Sequence, residues 1–490
     1  MTERVVLGIR AVRFVAERVD PTAPMKTGEI ASALRLSLSS SSRLCTELVA
    51  VGLLERGRDY GSYRLGRRAI RLSGRAAAPS ARAVRYALTV AAQVTGETAC
   101  IAARSGDDVR VVGSVGSEWT LHASADVGEL VDPASAVAVA AGGPGARSGH
   151  PGSDGSRPSA DRLVQSVVGR TLEVASPVLN DAGEHVAAVS IRLPINRAAR
   201  GVPRARRAVE VARRNIEPLL SAHSAPRLTP MSAETSTPAD TSAVGSARVG
   251  DAAPSALEAA ALLLEHLAEG ADTVAGSARA VRLRPDRAQR ILESCRFAGV
   301  VTADPGDPRQ HLRWGVHAWH RAATAPVLVD GGRQLVADAA RRSGTYGFIT
   351  VLRGIRSFTI VEELGSTDGG LVMLPWRGRP HPVIGSDGGP TLVMEFSPSD
   401  LSPLLSRRHT PLELAELYDR MRQVERDGVL TIQGIAESGL VSTSAPIRDA
   451  SGAVAGAACL TGTVGSTREQ ADNVEHAARE LAASISALLQ

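Results

Sequence analysis

Apolar positions near the start of the chain recur with helical spacing. A stripe through Leu7, Ala11, Phe14 and Val15 predicts a helix over residues 3–19. Further along, short apolar and β-branched runs stand between Gly, Pro, Asn and Asp clusters, which is typical of strands in antiparallel sheets. The pattern therefore predicts an α+β protein in which helical segments precede sheet-forming segments.

Two more helices and a hairpin are expected after the first helix. Thr27 is a suitable N-cap for the second helix, and a turn at Arg35–Ser37 leads to a third helix over residues 38–51. Gly52 ends that helix as a C′ glycine. The sequence LLERGRDYGSYRLG that follows predicts a two-stranded hairpin. This order of elements is that of a winged helix-turn-helix, which we place at residues 1–75.

A sheet domain is predicted at residues 81–221, beginning with a helix and ending with another at about 204–220. Its strand-like runs indicate an antiparallel sheet. A Gly/Pro/Ser-rich stretch at 142–160 predicts a disordered loop inside this domain. Residues 222–255 are rich in Ser, Thr, Ala and Pro, so we interpret them as a disordered linker.

The same pattern occurs a second time. Arg43 and Arg290 stand 247 residues apart in similar segments, and Gly52 and Gly299 keep that spacing. A period of this length is too long for a solenoid repeat and predicts a duplicated two-domain protein. The predicted second copy consists of a divergent winged helix-turn-helix at 256–321 and a sheet domain at 325–490.

Charge is distributed unevenly between the predicted domains. Residues 1–75 carry a net charge of +7 and the rest of the chain −2, so the positive charge lies where a nucleic-acid contact is expected. No apolar run is long enough to span a membrane. The charged N-terminus lacks a signal-peptide core, and the four cysteines are widely spaced, so we expect a cytoplasmic location.

The third predicted helix offers the chemistry of a DNA contact. Hydroxyls and free amides at a helix N-terminus suit phosphate oxygens, and an arginine one turn in can read guanine or grip phosphate. The alternative is a capped helix with a soluble face. In the second copy the matching surface is more basic but has lost the hydroxyls. An alternative interpretation, that the second winged helix is a structural remnant that only dimerises, therefore stays open. The predicted DNA-contacting residues are Thr27, Ser39, Ser40, Ser42, Arg43, Arg58, Arg64, Arg284, Arg287 and Arg290.

These segments resemble the IclR family of bacterial transcription regulators, and they do so twice. The family's recognition segment is matched by Leu36, Ser39, Ser40, Arg43, Leu44 and the run Val51–Glu55. Its wing is matched by Gly61, Tyr63, Arg64, Leu65 and Gly66, and in copy two Leu283, Arg290, Gly299 and Arg313–Gly315 remain. The effector-domain turn is matched by Ala175, Pro177, Val178 and Gly183, and by Ser444–Ile447, Asp449 and Gly452.

The resemblance implies a GAF-like effector domain that binds a small metabolite, often a carboxylate, and winged helices that pair on palindromic DNA. The family's usual pocket segment is eroded to Pro133–Ala136 in copy one and Gly385–Gly389 in copy two. Copy two is the better candidate for a ligand pocket, although polar surface loops without a ligand are the alternative. The candidate ligand-binding residues are Ser386, Asp387, Glu437 and Ser444.

Signals of enzymatic activity are sparse. No Gly-x-Ser-x-Gly nucleophile elbow occurs, and the histidines lack His-x-x-x-His spacing, so we predict no catalytic residue, metal site or cofactor. His381, between two prolines, is interpreted as a loop residue.

The sequence therefore predicts a non-enzymatic transcription regulator that acts as a fused pseudo-dimer. Its expected partners are double-stranded DNA and a small-molecule effector, without a membrane, and further oligomerisation of the fused chain is left open. The alternative is a small-molecule- or partner-binding protein of the same fold that has lost DNA reading.

Overall fold

The computed structural model describes residues 1–117, 119–143, 163–224, 253–304, 306–364, 373–405, 408–433, 439–464 and 471–490. Within them the chain is a mixed α/β structure with two three-stranded sheets, a five-stranded sheet and a six-stranded sheet. Most of the predicted loop at 142–160 and of the predicted linker at 222–255 lies outside these residues. No helix of the described ranges is long and apolar enough to cross a membrane.

Three helices and a small sheet form the N-terminal unit. Its elements are α1 (Glu3–Ala16), β1 (Met25–Lys26), α2 (Thr27–Leu34), α3 (Leu38–Val51), β2 (Leu54–Arg56) and β3 (Ser62–Leu65). The central strand β3 pairs antiparallel with β1 and β2. Arg35 makes the α2–α3 turn in the left-handed conformation, at φ 53°. Ser37 then caps α3, since its hydroxyl accepts a hydrogen bond from the Ser40 amide at 3.2 Å.

The buried face of α1 differs from the predicted stripe. Val5, Ile9 and Val12 are almost fully buried, whereas Phe14, expected on the buried face, keeps 38% of its surface exposed. The reason is that α1 packs against α2 and α3 on one side and against the second half of the chain on another. A prediction from one amphipathic stripe cannot place two buried faces.

A single helix, α4 (Arg67–Thr95), crosses the predicted boundary between the winged helix and the sheet domain. The predicted winged helix ends at residue 75 and the predicted sheet domain begins at residue 81, and Pro79 stands between these positions inside the helix. At ~1.5 Å per residue, its 29 residues form a rod about 43 Å long. The N-terminal unit and the following sheet therefore share one continuous element.

The five-stranded sheet follows α4, in the order β5-β4-β8-β7-β6. Its strands are β4 (Thr98–Ser105), β5 (Asp108–Val115), β6 (Val164–Val168), β7 (Thr171–Leu179) and β8 (His185–Pro194). Alternate residues of β4 point to opposite faces. Ile101 packs in the core formed with α4 and α6 (Ala198–Ser224), whereas Cys100 packs towards the short helix α5 (Ala136–Ala140).

The second half begins with the same order of elements as the first. They are α7 (Ala256–Ala268), β9 (Asp272–Thr273), α8 (Val274–Ala280), α9 (Pro285–Phe297), β10 (Val301–Thr302) and β11 (Arg309–Leu312). Again the last strand is central, in the order β10-β11-β9. Two helices follow, α10 (Ala318–Asp330) and α11 (Gly332–Ser343), where the first half has the single helix α4.

The six-stranded sheet has the order β14-β13-β12-β17-β16-β15. Its strands are β12 (Tyr346–Arg353), β13 (Arg356–Glu363), β14 (Pro380–Pro382), β15 (Leu430–Gln433), β16 (Leu440–Arg448) and β17 (Val454–Thr463). The helices of this part are α12 (Gly389–Val393), α13 (Pro398–Leu405), α14 (Pro411–Asp427) and α15 (Ala471–Leu489). The edge strands β14 and β15 are too short to give an alternating pattern, so the sequence pattern does not predict them.

The two halves pack tightly against each other. One apolar cluster contains Ile9 and Leu48 from the first half together with Leu257 and Ile291 from the second. At the start of α4, Arg68 donates to Glu265 at 2.8 and 2.9 Å and to Glu258 at 2.9 Å, both on α7. Burial of this shared surface contributes stability that neither half has alone.

A buried carboxylate connects three elements at another junction. Glu17, 7% exposed, lies 2.9 Å from Arg13 Nε and 3.2 Å from Arg110 Nε. It also accepts a hydrogen bond from the Ser105 hydroxyl at the end of β4. Arg13 in turn donates to the Ala298 carbonyl of the second half at 2.6 Å. The end of α1, the β4–β5 hairpin and the end of α9 are therefore fixed together.

Midway along the interface, α4 contacts α10. The Ser73 hydroxyl donates to the Val316 carbonyl at 2.6 Å and accepts from the His320 amide at 3.0 Å. It also lies 2.9 Å from His320 Nδ1. Burial lowers the pKa of His320 well below its ordinary value, so the ring is neutral there.

Candidate DNA interface and ligand cavity

The N-terminal face of α3 is open to solvent. Ser39, Ser40, Ser42 and Arg43 are all exposed, and Arg43 has no side-chain partner within the described residues. Ser41, on the inner side, is buried and donates towards the Thr27 carbonyl at 3.4 Å. The helix therefore presents three hydroxyls and one unpaired guanidinium outward, a set that matches phosphate and base-edge acceptors.

Thr27 is in a different position from the one predicted. It is the first residue of α2 rather than its N-cap, which is Lys26. Its side chain is buried, 8% exposed, and the hydroxyl donates to the Gly61 carbonyl at 2.7 Å. Thr27 thus holds the β2–β3 hairpin against α2 and is not free for a contact with DNA.

The β2–β3 hairpin carries both free and paired cations. Arg58 at the tip is exposed and has no side-chain partner in the described part of the chain. Arg64 lies 3.1 Å from Glu55 on the neighbouring strand, so its charge is partly compensated. Tyr60, which is not among the predicted DNA contacts, is fully exposed at the tip. A lone aromatic residue between turn residues was the available signal.

The second helix-turn-helix presents its arginines differently. Arg284, the N-cap of α9, and Arg290 within that helix are exposed, and neither has a side-chain partner among the described residues. Arg287 donates to the Pro254 carbonyl, in the segment that precedes α7. Gln289 is hydrogen-bonded to Glu293 at 2.7 Å. Two of the three predicted arginines are therefore available to an outside partner, and the third is engaged by the chain.

A small cavity lies in the six-stranded sheet domain, beside the N-terminal end of α12. Its volume is about 20 Å³, room for one water molecule. The lining includes Phe348, Thr350, Trp376, His381, Ser386 and Asp387. Ser386 Oγ and His381 Nε2 are buried and have no hydrogen-bond partner within the described residues. Two orphaned polar atoms in one cavity leave hydrogen-bonding capacity for a ligand or a water.

Asp387 and His381 have perturbed acid–base properties in this cavity. Burial raises the pKa of Asp387 to about 6, although a hydrogen bond with Ser442 opposes the shift. Burial and the charge of Arg379 lower the pKa of His381. The interpretation of His381 as a loop residue is wrong, because it lies on strand β14 and faces the cavity. Its flanking prolines concealed an edge strand.

The other predicted ligand residues are not brought to this cavity. Ser444 is fully buried on β16, and its hydroxyl lies 2.8 Å from that of Thr391. It does not line the cavity. Glu437 lies outside the described residues. Of the four candidates, Ser386 and Asp387 lie together.

In the five-stranded sheet the corresponding region is filled by an internal ion pair. Glu173 accepts from Arg192 Nε at 3.0 Å, from the Ser190 hydroxyl at 2.9 Å and from the Val137 amide at 3.0 Å. Both charged side chains are buried. Arg192 also lies 2.9 Å from Glu129. In this region of the first sheet the charged groups are therefore paired with each other, whereas the cavity of the second sheet keeps two polar atoms without a partner among the described residues.

Comparison with known proteins finds likeness at the level of solved structures. No protein-family model matches the chain, and no curated protein matches it. A protein from Silicibacter sp. TM1040, assigned as an IclR transcriptional regulator, is 18% identical over 48% of this chain and 96% of its own, with a TM-score of 0.39.

Two further solved structures give similar values. An assigned IclR-family regulator from Rhodococcus sp. is 18% identical over 52% of this chain and 100% of its own, with a TM-score of 0.37. HmgR from Pseudomonas aeruginosa is 19% identical over 47% of this chain and 96% of its own, with a TM-score of 0.36. Each matches about half of the present chain.

Proposed function

We propose that this chain is a DNA-binding transcription regulator of the IclR type and that α3 and the β2–β3 hairpin contact duplex DNA. The observation that carries the proposal is the outward face of α3, where three serine hydroxyls precede Arg43, which has no side-chain partner among the described residues. An exposed helix of this kind beside a basic hairpin is the geometry with which winged helices enter the major groove. The net charge of +7 over residues 1–75 adds attraction to phosphate.

The two halves are, in this proposal, copies of one ancestral unit. Among the described residues, Arg35 and Arg282 are the non-glycine positions with positive φ, at 53° and 55°, and they stand 247 residues apart. Gly52 and Gly299 repeat that spacing, at φ 81° and 85°. Positive φ is rare outside glycine, so its occurrence at matching arginines supports a common origin.

The copies pair as the subunits of a dimer would. In a two-fold dimer, a residue near the axis contacts its own equivalent in the partner. Ser73 and His320 are 247 residues apart, the spacing of the repeat, and they contact each other. The fused chain therefore acts as a pseudo-dimer, and a single chain covers two unlike half-sites about one DNA turn apart, near ~10 bp between centres.

The cavity beside α12 is proposed to be the effector site, with Ser386 and Asp387 among its ligand contacts. The two orphaned polar atoms, Ser386 Oγ and His381 Nε2, support this assignment. Because the cavity holds about 20 Å³, a metabolite enters only as the surrounding loops open. Glu437 and Ser444 stay predicted contacts of an opened site.

Fluorescence anisotropy with the full chain tests the DNA assignment. A duplex selected from random sequence or recovered from the source genome is titrated at fixed salt. Arg43→Ala should weaken binding to the selected duplex by about 1–3 kcal/mol if the guanidinium contacts a base. If the guanidinium contacts phosphate, the substitution should weaken binding to all duplexes by the same amount. Arg342→Ala, an equal loss of charge at an exposed position on α11, serves as the control. Unchanged affinity for Arg43→Ala would show that α3 is not the reading helix.

The competing function is a small-molecule- or partner-binding protein that no longer reads DNA. Retention on a column of non-specific duplex DNA distinguishes the two functions, because the retention of a DNA-binding protein decreases as the salt concentration rises. Absence of any salt-dependent retention would favour the competing function. An asymmetric footprint covered by one chain supports the pseudo-dimer, whereas a palindrome that requires two chains contradicts it.

A further inference from the structure

A second, larger cavity lies between the two halves, remote from the site beside α12. It measures about 410 Å³, within the ~300–1,000 Å³ range of small-molecule sites. One wall is the β7–β8 turn of the five-stranded sheet, with Asn180, Glu184 and His185. The opposite wall is the base of the second small hairpin, with His311 and Arg313, and Arg104 near the end of β4 completes it.

The two arginines of this cavity lack partners. Within the described residues, the Nε atoms of Arg104 and Arg313 are buried without a hydrogen bond, and no carboxylate pairs with either guanidinium. Burial lowers the pKa of Arg313, and the positive charges of Arg104, Arg13 and Arg296 lower it further, whereas the charge of Glu184 opposes the shift. Two neighbouring cations are thus held together, partly out of water, at an energetic cost that Glu184 offsets only in part.

The carboxylates on the cavity wall are already engaged. Asp304 lies 3.0 Å from His311 Nε2. Glu184 accepts from the Asn180 side-chain amide at 3.2 Å. His185 is anchored as well, since its Nδ1 lies 2.7 Å from the Ala140 carbonyl. Among the described residues, the unfilled hydrogen-bonding capacity of this cavity therefore belongs to the arginines, and it calls for acceptors that carry negative charge.

We propose that this cavity is a binding site for a small polar dianion, a dicarboxylate or a phosphate monoester, held between Arg104 and Arg313. Planar guanidinium groups match carboxylate and phosphate oxygens in pairs, and two of them suit a doubly charged ligand. Since one wall belongs to the first sheet domain and the other to the second winged helix, the bound dianion joins the halves. The proposal does not depend on DNA reading.

Calorimetric titration of the full chain with inorganic phosphate and with succinate tests the site, against sodium chloride at equal ionic strength. Binding of at least one probe is expected. Arg104→Gln and Arg313→Gln should each weaken it about tenfold or more, as the loss of one charge-assisted contact predicts. Arg342→Gln, which removes the same charge from an exposed position on α11, should leave the affinity unchanged.

Melting of the unliganded variants separates a binding role from a structural one. Removing one of two repelling cations should leave the melting temperature of Arg313→Gln equal to or above that of the parent chain. A clear fall in that temperature would make the arginine structural and overturn the proposal. So would a parent chain that binds neither probe, or glutamine variants that keep its affinity. Binding that is lost in Asp387→Asn but kept in Arg104→Gln would place the probe beside α12 and also overturn it.

Discussion

Replacing Arg68 by alanine should loosen the pairing of the two halves. The guanidinium bonds both oxygens of Glu265 and reaches Glu258 on the same helix. Its hydrogen bond to Glu265 is the main cause that raises the pKa of Arg68. It also donates to the Val51 carbonyl at 3.0 Å. One side chain thus ties α4 and the end of α3 to α7.

The magnitude follows from exposure. The side chains of Arg68, Glu258 and Glu265 are 16%, 33% and 25% exposed, so the network is neither buried nor freely solvated. Breaking a buried pair costs about 3–5 kcal/mol and an exposed one about 0–1. Two carboxylates left without their cation repel each other from one face of α7 as well. We therefore expect Arg68→Ala to lower the free energy of unfolding by about 2–3 kcal/mol.

Urea denaturation, with the slope compared between variants, measures this change. Arg71→Ala, one turn of α4 away and exposed, is the matched control and should stay within about 0.5 kcal/mol of the parent chain. A double-mutant cycle of Arg68→Ala with Glu265→Gln should give a coupling energy of about 1–3 kcal/mol. A coupling energy of zero, or an Arg68→Ala variant as stable as the control variant, would show that this network does not hold the halves together.

Three other predictions concern separate parts of the molecule. Asp387→Asn should stabilise the chain by about 1–2 kcal/mol at pH 7.5. The pKa of Asp387 in the folded chain, about 6, is above its value in the unfolded chain, so the protonated carboxyl adds to the free energy of unfolding fully below about pH 4 and loses this contribution as the pH rises through 6. Equal urea midpoints for the parent chain and Asp387→Asn at pH 7.5 would contradict this. The methyl group of Gly74→Ala would overlap the Ala450 backbone and should lower the free energy of unfolding by about 1–3 kcal/mol. Gly28 has open space around it, so Gly28→Ala should raise the free energy of unfolding by about 0.5–1 kcal/mol. Melting temperatures of the two variants that shift in the same direction would contradict this packing. Glu17→Gln leaves two arginines without their shared carboxylate and should lower the free energy of unfolding by about 2–4 kcal/mol, which an unchanged urea midpoint would disprove.

Local signals in the sequence located elements well. The turn at Arg35–Ser37 and the stop at Gly52 bound α3 as predicted, because caps and left-handed positions depend on a few neighbouring residues. Long-range packing was less accessible. Phe14 has the polarity of a core residue yet lies partly exposed, and Thr27 has the polarity of a surface residue yet is buried under the hairpin.

The candidate sites followed the same division. Exposure of Ser39 and Arg43 is a property of one helix face, which periodicity can indicate. The cavity beside α12 also required β14, whose three residues bring His381 to Asp387. The arginine cavity depends on Arg104 and Arg313, which stand in different halves of the chain. No local pattern joins them, since their proximity results from the pairing of the halves.

The contact between Ser73 and His320 has a consequence for the history of this chain. Two identical subunits would place serine against serine or histidine against histidine at a shared axis, never one against the other. Under the duplication proposed above, once each side of the axis had its own residue, separating the halves into free subunits would have produced two poorly matched homodimers. In a chain fused in this way, each further asymmetric substitution at the axis would make a return to independent subunits less favourable. The same duplication implies that the two halves, expressed as separate polypeptides, would form the mixed dimer in preference to either homodimer.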